Sequence, residues 1–146
     1  MRTNLVIGGA VAALALAAPT SVAAHHAFGG EFDADRPILL RGPIVKVEWV
    51  NPHTWIHIEV KKADGTKEVW MIEGGSPNSL LRRGITRDSL QIGTELVVDG
   101  YQARDYTLKR ANGRNVTYPD GRKLFLGSAG TGAPKDGADP AEAKPR

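Results

Sequence analysis

Apolar and polar positions alternate with a period of two at Val45–Trp49, within "ILLRGPIVKVEWV" (38–50), and at Ile56–Val60, within "TWIHIEVKKADGTKEVWMIE" (54–73). That period belongs to strands with one buried face. In the first stretch Val45, Val47 and Trp49 share one face, and Lys46 and Glu48 the other. Gly42-Pro43 interrupts it and predicts a bulge or sharp bend at a sheet edge, and Asn51-Pro52 marks the turn that follows. In the second stretch Asp64-Gly65 is the favoured dipeptide of a tight two-residue hairpin. With those two at the tip, Ala63 faces Thr66, and Val60 pairs with Val69 and Ile58 with Met71 on one face. Lys61 with Glu68, Glu59 with Trp70 and His57 with Ile72 then fall on the other.

Beyond the hairpin the pattern changes. "SPNSLLRRG" (76–84) predicts a short helix, with Ser76 as N-cap, Pro77 at the first helical position, Arg82 and Arg83 at the C-terminal dipole and Gly84 closing it. "TRDSL" adds a further turn capped by Thr86. "TELVVDGYQA" (94–103) returns to strand. A polar stretch containing Asn112-Gly113 precedes "VTYPDGRKLFLG", a last hairpin or strand pair. The order strand, strand, strand, helix, strand, strand predicts a mainly β fold, a small five-stranded OB-like barrel with one short helix. A β-sandwich or half-barrel with the helix plugging one end is the alternative.

The two ends read differently from the middle. Arg2 followed by the apolar run Leu5 to Ala18, a break at Pro19-Thr20 and small residues to Ala24 is the pattern of a secretory signal, residues 1–24. As a helix that run rises about 21 Å, short of a roughly 30 Å hydrocarbon core, so the expectation is export to the periplasm or outside the cell with no stable membrane anchor after cleavage. From Gly127 the chain is Gly, Ala, Pro and charge without a large apolar side chain, which predicts a disordered tail over 127–146. Between them lie an N-terminal arm (25–34) and one domain (35–126).

Composition narrows the chemistry. The 146 residues include no cysteine, which excludes thiolate nucleophiles, zinc ribbons and iron–sulfur clusters and leaves an exported chain to rely on its core alone. The formal charge of +3 loses Arg2 with the leader, and the remaining basic residues form no block, so nucleic acid is not the expected partner. There is no G-x-S-x-G, no H-E-x-x-H and no phosphate-binding glycine loop, so the expectation is a non-catalytic protein.

Four segments carry a family resemblance: "AHHAFGGEFD", "VKVEWVNPHTWIHIEV", the G-x-x-L-x-V-x-G of Gly93 to Gly100, and "YPDGRKLFLG". Together they resemble the bacterial family called domain of unknown function 6152, over Ala24 to about Gly127. The resemblance implies an exported small β-barrel and supplies no mechanism.

Two kinds of binding chemistry are suggested by the residues themselves. Cleavage after Ala24 leaves His25 as the first residue, whose amine and ring would chelate Cu(II). Cleavage after Ala23 makes His26 the third residue, and amine, two amides and imidazole could form a square-planar site. His53, at the Asn51-Pro52 turn, is placed to complete a terminal site. His57, about 13 Å further along a strand, is not. His25, His26 and His53 are thus the candidate metal ligands, with Cu(II) as the candidate cofactor. The alternative is a glycan, peptide or envelope-protein partner on the sheet face bearing Trp55, His57, Glu59, Trp70 and Ile72.

Overall fold

The structure, a computed structural model, describes residues 28–128. The leader, His25 and His26, and the tail beyond Ser128 lie outside the described residues. In chain order the elements are α1 (Phe28–Glu31), β1 (Phe32–Glu48), β2 (Trp55–Lys61), β3 (Lys67–Glu73), α2 (Pro77–Arg82), a single 3-10 turn (Asp88–Leu90), β4 (Glu95–Ala103), β5 (Arg110–Thr117) and β6 (Lys123–Phe125). The strands form one curled sheet in the order β3-β2-β1-β4-β5-β6.

The expected five-stranded OB-like barrel with one short helix is corrected. The described residues hold six strands and two short α-helices, and the hydrogen bonds do not close the sheet into a complete barrel. β5 meets β3 over only three parallel pairs, Met71 with Arg110 to Glu73 with Asn112. The other half of that edge of β5 pairs with β6. The physical reason is the stretch 110–115, which reads as a polar turn yet runs as strand. Asn112, Arg114 and Asn115 are buried there despite their polarity, and Asn115 donates to Asp99 at 2.8 Å. Gly113 is needed because a Cβ would fall 2.7 Å from Ile72 and 2.6 Å from Leu126.

β1 begins at Phe32, inside the stretch read as an arm, and is long enough to pair with β4 in its first half and β2 in its second. At Gly42 the β2 backbone passes so close that a Cβ would lie 1.9 Å from the Glu59 carbonyl oxygen. The bulge sits just after, at Val45, between the pairs Ile44–Ile58 and Lys46–His57. The extra residue switches the inward set, so Leu40 and Ile44 point to the core before it and Val47 and Trp49 pack against the core after it. Val45 itself is exposed, which corrects its expected place beside Val47.

The β2–β3 hairpin forms where expected but with a three-residue loop. Gly65 N–H donates to the Lys62 carbonyl, Lys62 N–H donates to Thr66, and Gly65 takes φ +85°. This is a turn followed by a left-handed glycine. The register is therefore Ile58 with Trp70 and Ile56 with Ile72, one residue from the expected pairing. A slip of one turns every side chain of β3 to the other face. Trp70 and Ile72 enter the core, and Val69, expected inside, is exposed. The Tyr118–Arg122 loop repeats the arrangement, with Gly121 at φ +87° and Asp120 accepting from Arg122 N–H as Asp64 does from Thr66.

α2 matches its sequence signals closely. Ser76 Oγ accepts from Ser79 N–H, and Gly84 at φ +83° lets Gly84 and Ile85 donate to Leu81 and Leu80. Leu80 and Ile85, both fully buried, meet across that cap and seal the core. The core joins Ile44, Ile56, Ile58, Trp70, Ile72, Leu96, Val98, Val116 and Leu126 to this pair. Burial of each such side chain stabilises the fold by about 1.5–3 kcal/mol. A separate cluster, Phe28, Phe32, Tyr101 and Ala103, pins α1 to β1 and β4, with the Phe28 and Tyr101 rings edge to face at 5.3 Å. Among the described residues no helix is long and apolar enough to cross a membrane.

Candidate functional site

The ends of several elements converge at one edge of the sheet. Pairing sets Trp55, the first residue of β2, beside Glu73, the last of β3, and Glu73 beside Asn112 of β5. The aromatic cluster under α1 brings Glu31 to the same place, helped by Arg104, which donates through its backbone N–H to Glu31 and through Nε to Gly29. The Asn51-Pro52 turn, with a cis peptide bond, returns the chain to the same edge and delivers His53. The result is a cleft of about 250 Å³ lined by residues that include Glu31, Val50, Pro52, His53, Trp55, Glu73 and Arg110. Glu31 and Arg110 also line an adjoining cleft of about 340 Å³ that reaches Arg104 and Leu108.

Arg110 is the unusual member. Its guanidinium carbon lies 4.8 Å from the centre of the Trp55 ring, within the range of a cation–π contact. Its Nε is buried with no hydrogen-bond partner, and no acceptor among the described residues engages the rest of the guanidinium. Buried donors are nearly always paired, and among the described residues Thr54 Oγ1 and Arg114 Nε share this condition with Arg110 Nε.

Glu73 is the buried acid. Its side chain is 7 % exposed and accepts from Asn112 Nδ2 at 3.4 Å, with His53 Nδ1 3.7 Å from the same carboxyl. Burial pushes its pKa above the ordinary 4.5, Glu31 adds to that, and charge on His53 and Arg110 opposes it. The protonated form, which burial favours, can donate a hydrogen bond where the ionised form can only accept.

The expected metal chemistry is corrected. Among the described residues no group of three or more His, Cys, Asp or Glu side chains could hold a metal ion. His53 Nδ1 instead approaches the Gly74 carbonyl at 3.3 Å and Ser128 Oγ at 3.4 Å, so its ring is held by protein partners. His57 lies apart, its Nε2 3.1 Å from Glu48 across the β1–β2 ladder. His25 and His26 lie outside the described residues, so of the three candidate metal ligands only His53 is seen in the structure.

The expected ligand face divides. Trp55, His57 and Glu59 alternate with the core residues Ile56 and Ile58 and so share the non-core face of β2, whereas Trp70 (6 % exposed) and Ile72 (fully buried) belong to the core. No two-tryptophan platform exists. Trp70 instead donates its indole N–H to Glu68 at 2.8 Å. Sequence reasoning missed Glu73, Arg110 and Asn112. The first was hidden by the one-residue slip, and the other two by the turn-like Asn112-Gly113.

The model of a family of unknown function, DUF6152, matches residues 10–112. No curated protein matches the chain.

Proposed function

This chain belongs to the DUF6152 family, and we propose that it is a non-catalytic binding protein that holds a small ligand in the cleft between Trp55 and Arg110. The observation that carries this reading is the Arg110 guanidinium in the cleft lining, 4.8 Å from the centre of the Trp55 ring and with no acceptor among the described residues. A concave site with an aromatic wall and a few convergent polar groups suits recognition. The cleft lies at or below the lower end of the roughly 300–1,000 Å³ typical of drug-sized ligands, which favours a small molecule over a long glycan or peptide. The leader pattern of residues 1–24 supports action after export, in the periplasm or outside the cell.

A nitrogen–proton NMR screen of the full chain against small organic acids, amides and sugars tests the reading. Trp55 has its indole in the cleft wall and Trp70 has its own in the core. Ligands are expected to move the Trp55 indole signal and leave that of Trp70 in place. A panel that leaves Trp55 unmoved counts against the cleft as the binding site.

A further inference from the structure

We infer that the ligand carries a carboxylate, received in the fork of Arg110 while its carbon body lies against Trp55. This rests on the binding reading above and adds the chemical class. A guanidinium offers five N–H donors in a fixed plane, and its best partner is a planar anion that takes two of them at once. The Trp55 ring lies against that group, its centre 4.8 Å from the guanidinium carbon. The two adjoining clefts share Arg110 among their lining residues.

The charge around the fork selects among anions. Glu31 and Glu73 line the same cleft. A dianion such as phosphate would meet more like charge there than a monoanion does. Val50 and Pro52 line the same cleft as Trp55, with Asn51 between them. The apolar side chains of Val50, Pro52 and Trp55 suit a carbon skeleton and gain nothing from a bare inorganic ion. A small organic acid with an apolar body satisfies all three features.

Calorimetry on the full chain with benzoate, benzamide and inorganic phosphate separates the possibilities. Benzoate is expected to bind at least tenfold more tightly than benzamide, which has its shape without the charge, and more tightly than phosphate. Arg110→Gln should weaken benzoate at least tenfold and leave benzamide unchanged. Arg110→Lys should recover only part of the loss, because the charge returns without the fork. Should Arg110→Gln fail to fold, the Lys variant and the three-ligand comparison on the parent chain still decide. Equal affinities for benzoate and benzamide, tighter binding of phosphate, or full benzoate affinity in Arg110→Gln would overturn the inference. If benzoate does not bind while the NMR panel still moves Trp55, the carboxylate inference falls and the binding reading stands. If neither responds, both fall.

Discussion

Trp70 lies opposite Ile58 in the β2–β3 ladder with its ring in the core, while Trp55 in the same hairpin stands on the other face beneath Arg110. Two tryptophans that the sequence pattern places together are separated by the thickness of the sheet. Their truncations should therefore differ in kind. Trp70→Ala should cost about 3–5 kcal/mol, the range for a large aromatic removed from a core. Trp55→Ala should cost less than half of that and abolish ligand binding. Denaturant midpoints of the two variants check the order, and equal losses would contradict the register.

Gly65 should resist substitution for a backbone reason. At φ +85° it sits where a side chain is strained, although nothing lies within 4 Å of a Cβ built there. Gly65→Val should cost about 1–2 kcal/mol, and Gly121→Val, at φ +87° in the matching loop, a similar amount. Unchanged unfolding midpoints would show that the loops adopt another geometry.

Gly42 fails for a different reason. Its added Cβ would stand 1.9 Å from the Glu59 carbonyl oxygen, which belongs to backbone and cannot step aside. Gly42→Ala should therefore destabilise more than Gly65→Val, although alanine is the smaller side chain. Chemical unfolding of the two variants side by side gives the comparison, and a milder effect at Gly42 would contradict the close crossing of β1 and β2.

Glu73 ties stability to pH. Its folded pKa is raised by burial above the ordinary 4.5, so between those values the native state binds more protons than the unfolded one. Stability from this group is full below about pH 4.5 and is lost as pH rises through the folded value. Glu73→Gln removes the dependence. The stability difference, variant minus parent, should grow as pH climbs from 4.5 toward neutrality. Carboxylates such as Asp33 and Glu48, lowered by hydrogen bonds from Tyr106 and Lys46, act in the opposite direction and cancel in that difference. A difference that stays flat with pH would show that Glu73 ionises normally.

Much of the framework was legible because local chemistry decides it. The Ser76 cap, the closing Gly84 and the Asp64-Gly65 tip each act within a few residues, and each stands where the sequence puts it. β3 was misread because Val69 to Ile72 is apolar without interruption, so no period of two says which side is inner. Loop length alone then sets the face, and Asp-Gly serves both two- and three-residue loops. β5 was missed because its polarity is met by partners distant in sequence, Glu73 for Asn112 and Asp99 for Asn115. The site depends on those same long-range pairs. Trp55 and His53 were visible as candidates, while Glu73 and Arg110 acquire meaning only once β3 and β5 lie side by side.

The most direct measurement of the central claim is the set of intermolecular nuclear Overhauser effects from benzoate bound to the full chain. The ring protons of the ligand are expected to report contact with the Trp55 ring, Val50 and Pro52, with no contact to Trp70. Contacts mapping instead to exposed apolar residues elsewhere, such as Ile92 or Leu81, would contradict the cleft between Trp55 and Arg110 as the place where this protein binds.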